Sequence, residues 1–97
     1  MKIYDKAKWH LDQPQDSQTI GNKLEHLRVL MIWLNNNNFL NELGQEIFEL
    51  GIDQEFSLTS EMVTTKGEEL LDKYYAEWSK NISYDEEITT VFWDSKL

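Results

Sequence analysis

Apolar residues recur along this chain at helical intervals. Ile20, Leu24, Leu27, Met31 and Leu34 are spaced 4, 3, 4 and 3, which is one stripe of an α-helix. Val29, Leu30, Ile32 and Trp33 add apolar residues on its other faces, so the second half of this helix is expected to be buried nearly all round. Ser17 is placed to cap its start, just after Pro14. The run Asn35 to Asn38 ends it, because asparagine is a poor helix former that tolerates the left-handed cap conformation. The expected span is about Gln18 to Asn35.

A second stripe follows at Leu40, Leu43, Ile47 and Leu50, closed by Gly51 and Ile52 in the manner of a glycine C-cap with its hydrophobic contact. Gly44 lies inside it and points to close packing against a neighbour. Thr65-Lys66-Gly67-Glu68 matches a capping box and opens a third helix bearing Leu70, Leu71, Tyr74, Tyr75 and Trp78. Leu58 to Val63 reads as a short turn before it.

The ends are ambiguous. Ala7, Trp9 and Leu11 alternate with polar residues as in a strand, while Tyr4, Ala7 and Leu11 fit one helical face. Near the other end, Ser83 with Glu86 suits a cap for a short helix bearing Ile88, Val91 and Phe92, whereas Thr89 to Trp93 favours a strand. Residues 82–93 are therefore open between helix and strand, with helix preferred at both ends. The expected fold is all-α: one domain over residues 1–97, a compact bundle of three main helices with short terminal elements.

Composition supports a folded chain. Leu, Ile, Val and Phe make up 26 of 97 residues, above the roughly 20% below which charged chains stay disordered. One proline and four glycines are few for a many-turned β fold. Without cysteine there is no disulfide framework and no thiolate metal site. The longest apolar run, Val29 to Leu34, is far too short to span a membrane, and Met1 to Asp5 does not open a signal pattern. A cytoplasmic protein with no membrane contact is expected.

Charge changes the picture more. Residues 1–40 carry five basic and four acidic side chains, and residues 41–97 carry four and fourteen. A one-signed field over more than half the chain attracts cationic partners and repels phosphate, so nucleic acid is an unexpected partner. Two acidic groups stand out beyond the one on the second helix (Glu42, Glu46 and Glu49). They are Glu68 and Glu69 with Asp72 on the third helix, and the run Asp85, Glu86 and Glu87. These last six are the candidate partner-binding residues, against the plainer reading that they serve solubility.

Candidate chemistry is thin. No activated nucleophile motif is present, and a pair of carboxylates in a chain with 18 acids is weak evidence for catalysis. Asp5, His10 and Asp12 cluster near the start and Glu25-His26 lies on the first helix, but neither matches a metal-binding spacing. His26, between Leu24 and Leu27, reads as a packed or surface histidine. No enzyme activity, cofactor or metal is expected.

Tyr4-Asp5-Lys6-Ala7-Lys8-Trp9-His10, then Pro14, then the apolar stretch from His26 to Leu34 resembles a family of small, acidic, uncharacterised bacterial proteins that begin Y-D-x-A-x-W-H. The likeness covers mainly residues 4–34, with a weaker echo at Lys66 to Leu71. Family members usually carry an apolar residue before the proline, where this chain has Gln13. Such proteins look like immunity proteins of toxin systems, including contact-dependent growth inhibition. The resemblance implies a stoichiometric inhibitor of a cognate toxin domain, in the usual case a basic nuclease, and it implies no catalytic residues. Trp9 and His10 would serve structure, the indole covering the core and the imidazole bonded to nearby backbone. A generic acidic adaptor or regulatory module, including a nucleic-acid mimic, is the alternative function.

Overall fold

The computed structural model describes residues 1–10, 17–82 and 88–97, with residues 17–23 described by backbone alone. Strand β1 (Ile3–Lys6) leads into a 3-10 turn over Ala7–His10. Helices α1 (Ser17–Asn36) and α2 (Glu42–Leu50) follow, then strand β2 (Ser57–Thr59) with a 3-10 turn over Ser60–Met62. Helix α3 (Thr65–Lys80) and the single turn α4 (Val91–Asp94) complete the order.

The three long helices agree with the stripes, but the all-α expectation is overturned. β1 and β2 pair antiparallel, with Ile3 opposite Thr59, Asp5 opposite Leu58 and Lys6 opposite Ser57. The backbone bonds Ser60 N–H to Lys2 C=O and Ala7 N–H to Phe56 C=O, both 2.9 Å, continue the ladder beyond both ends. The molecule is mostly helical with a small two-stranded sheet. The preference for helix at the N-terminus is corrected with it, as is the turn assigned to Leu58, which lies fully buried in β2. The inward residue of β1 is Asp5, at 5% exposure, while Ile3 faces solvent. An apolar-inward rule therefore misreads this strand. At the C-terminus Val91–Asp94 is helical, and Ser83 with Glu86 lies outside the described residues.

The end of α1 shows how the asparagine run works. The Phe39 N–H reaches the Leu34 carbonyl at 2.9 Å and the Asn38 N–H reaches Asn35 at 3.2 Å, with Asn38 at φ 62°. This is the left-handed cap with crossed hydrogen bonds, and the Phe39 ring packs on Trp33 at 5.5 Å as its hydrophobic contact. Helix α2 is capped by the Asn41 side chain, which accepts from the Gly44 N–H at 2.9 Å. A Cβ on Gly44 would overlap the Met62 carbonyl oxygen, so the close approach suggested by that glycine is present. Gly51 caps the other end with φ 92°. The cap of α3 is Thr64, whose hydroxyl accepts from the Gly67 N–H at 3.2 Å, one residue before the capping box read from the sequence.

One core joins these elements. Leu27, Leu30 and Leu34 of α1, Leu58 of β2 and Met62 are fully buried, and Leu70, Leu71, Tyr75 and Trp78 of α3 pack with them. Trp93 of α4 is completely buried between Trp33 and Trp78, each at a ring separation of 5.6 Å. The Trp33 indole N–H donates to Asp94 at 2.8 Å, which ties α4 to α1.

Candidate functional site

Two regions depart from the usual distribution of polar and apolar groups. The first is a polar node inside the fold. A register irregularity between Ile3 and Asp5 accompanies the turning of the Asp5 side chain into the interior. The 3-10 turn then brings His10 back to it, α1 supplies His26 and α3 supplies Tyr75. One carboxylate oxygen accepts from His10 Nε2 at 2.8 Å and from the Lys6 backbone N–H at 2.8 Å. The other accepts from His26 Nε2 at 3.1 Å and from the Tyr75 hydroxyl. The two imidazoles meet edge to face, 4.7 Å apart, and His26 packs towards Trp78.

Burial opposes ionisation of Asp5. The hydrogen bonds from His10, His26 and Tyr75, with the electrostatic pull of His10, outweigh that and hold the carboxyl well below the usual carboxylate range. The node is thus a charged acceptor with four donors, the arrangement that makes a buried carboxylate tolerable. Its donor set is also chemically suggestive, because one carboxylate oxygen and two imidazole nitrogens lie within 4.8 Å of one another.

The sequence had grouped Asp5, His10 and Asp12. Asp12 lies outside the described residues, and the third member of the node is His26, sixteen residues beyond His10. His26, Leu30 and Trp33 are spaced 4 and 3 and are all buried, so a second stripe on α1 carried the signal that this histidine faces inward. The structural roles read for the W-H pair need correction. Trp9 is 58% exposed and does not cover the core, and His10 bonds to a carboxylate rather than to backbone.

The second region lies across the sheet edge. A groove of about 370 Å³ runs between α2 and β2. Leu43, Ile47, Leu50 and Met1 supply apolar lining, with Leu50 87% and Leu43 44% exposed. The charged side chains lining it are Asp53, Glu55 and Glu61, all acids. Glu46, exposed and three to four residues from Leu43 and Leu50, follows the same flank of the helix. Half of the second stripe is therefore core and half is surface.

Of the six acids chosen from the sequence, Glu68, Glu69 and Asp72 fall within the described residues. Glu68 and Asp72 both hold Lys2, at 3.2 and 2.7 Å, and Asp72 also accepts from the Tyr4 hydroxyl at 2.6 Å. These bonds raise the Lys2 pKa and lower that of Asp72, and burial together with Asp72 raises that of Tyr4. The pair secures β1 to α3, so part of its charge is neutralised within the molecule. Glu69 is exposed, and Asp85, Glu86 and Glu87 lie outside the described residues.

No family model, curated protein or solved structure matches this chain. Among the described residues no helix is long and apolar enough to cross a membrane.

Proposed function

We propose that this chain is a binding protein that neutralises a basic toxin domain, in the manner of an immunity protein, and that it seats its partner on the groove between α2 and β2. The observation that supports this reading is the conjunction at that groove of exposed apolar side chains with the acids Asp53, Glu55 and Glu61, of which Glu55 also pairs with Lys8 at 3.1 Å. Leu43 and Leu50 supply area that gains by leaving water, and Asp53, Glu55 and Glu61 select a cationic surface to cover it. Acidic charge over residues 41–97 steers such a partner, raising association rates by roughly 10- to 1000-fold at low salt. Apolar anchors then set the lifetime of the complex. A nuclease is the target class, because its substrate-binding face is basic and is blocked by an acidic cover. The compartment in which the two meet is the cytoplasm.

The test pairs the purified chain with the domain encoded by the gene beside its own and follows association against ionic strength. Leu50→Lys and Leu43→Lys place cations on the groove without touching the core, and each should weaken binding at least about tenfold, the loss of a central contact. Wild-type affinity in both variants removes the groove from the interface. Failure of the unaltered chain to bind or inhibit that domain removes the function itself.

A further inference from the structure

The polar node has the makings of a metal site. Zinc takes imidazole nitrogen and carboxylate oxygen, commonly with three protein ligands and a fourth position for water. Two histidines and one carboxylate form such a set, whereas magnesium and calcium prefer oxygen throughout. We propose that Asp5, His10 and His26 bind a divalent transition-metal ion, zinc in preference, through one carboxylate oxygen and the two Nε2 atoms.

Geometry supports this in three ways. First, a tetrahedral zinc with bonds of about 2.0–2.1 Å holds its ligand atoms roughly 3.3 Å apart. The Nε2 atoms of His10 and His26 lie 2.8 and 3.1 Å from Asp5, each from a different carboxylate oxygen, and the set of one oxygen and two nitrogens lies within 4.8 Å. Side-chain rotations that bring the set in from 4.8 Å to that spacing seat the ion.

Second, the ligands are backed. The Tyr75 hydroxyl and the Lys6 N–H hold the carboxylate from the sides the imidazoles leave, which is the support that orients a metal ligand. Third, the site is closed on one side and open on the other. His26 is 1% exposed, while the His10 side chain is 26% exposed and marks the way in for the ion and the place of a water ligand. On binding, the ion takes the Nε2 lone pair and each neutral imidazole carries its proton on Nδ1. The two N–H···O bonds are replaced by metal–nitrogen and metal–oxygen bonds, and three elements are stapled at one point.

The experiment uses the full chain freed of metal with a chelator. Zinc is titrated by calorimetry, cobalt by visible absorption, and both by thermal melting. The expected result is one zinc per chain, a higher melting temperature, and cobalt bands of a low-coordinate nitrogen–oxygen site. His10→Ala, at a partly exposed position that leaves the core intact, should weaken zinc binding by about 100-fold or more. Tyr75→Phe should weaken it by about 10- to 100-fold, the usual effect of removing a group that orients a ligand. Magnesium and calcium at the same concentrations should leave the melting temperature unchanged. Any of three results overturns the proposal: no zinc response in the unaltered chain, unchanged affinity in His10→Ala, or an equal shift with magnesium or calcium. The last two mark ions held on the acidic surface.

Discussion

The node around Asp5 and the groove along α2 invert the same rule in opposite directions. One puts a charge inside the protein and the other leaves large apolar side chains outside. The node resolves its inversion internally, because both oxygens of Asp5 have two donors each and the neighbouring rings close around them. The groove has no such resolution. Leu50 and Leu43 stand in water beside acids of one sign, of which Glu55 is paired with Lys8 at the surface. A completed inversion rigidifies a fold, and an incomplete one is a surface that gains free energy when something covers it. Stability should therefore be sensitive at the node and indifferent at the groove, and binding should be the reverse.

The largest expected effect is at the centre of the node. Asp5→Ala strands His26 and Tyr75 without their shared acceptor and should cost about 3–5 kcal/mol, as breaking a buried charged network does. Denaturant unfolding measures it, and a loss near zero would make the node an ornament of the fold. Next is the seat of α2. Gly44→Ala drives a methyl group into the Met62 carbonyl, and overpacking of that kind costs about 1–3 kcal/mol.

Acid sharpens the contrast further. Asp5 has a folded pKa below its ordinary value of 3.8, so its contribution is complete above that pH and fades as pH falls towards the folded value. Unfolding midpoints followed from pH 7 downward should fall in the acid range for the wild type, and Asp5→Asn should flatten that fall. The smallest effect belongs to the groove: Leu50→Lys, at an 87% exposed position, should change stability by no more than about 0.5 kcal/mol. A marked loss there would mean that Leu50 is part of the core after all.

How much of this was legible depended on distance along the chain. Helices α1, α2 and α3 announce themselves because their stripes are local, and the caps at Asn38 and Gly51 follow from residue type. The sheet is not legible, because β2 has three residues and its partner lies more than fifty positions earlier. β1 further hides itself by turning an aspartate inward and an isoleucine outward. The node has the same character. Asp5 and His10 stand close enough to be noticed together, but Tyr75 is seventy residues away, and only the fold brings it within reach. The acids of α3 were legible as charge but not as partners of Lys2, which approaches from the other end of the chain.

The pairing of β1 with β2 also sets a schedule. During synthesis the first strand emerges with its edge unmatched, and its partner at Ser57–Thr59 follows only after two helices have been made. At about 5–20 residues per second that interval lasts several seconds, long compared with the formation of either helix. Asp5 waits longer still, for Tyr75, and Trp33 waits for Trp93. The nascent chain therefore carries a buried-to-be carboxylate until Tyr75 has been made and an unfinished aromatic cluster until Trp93 has been made, so neither closes from local contacts alone.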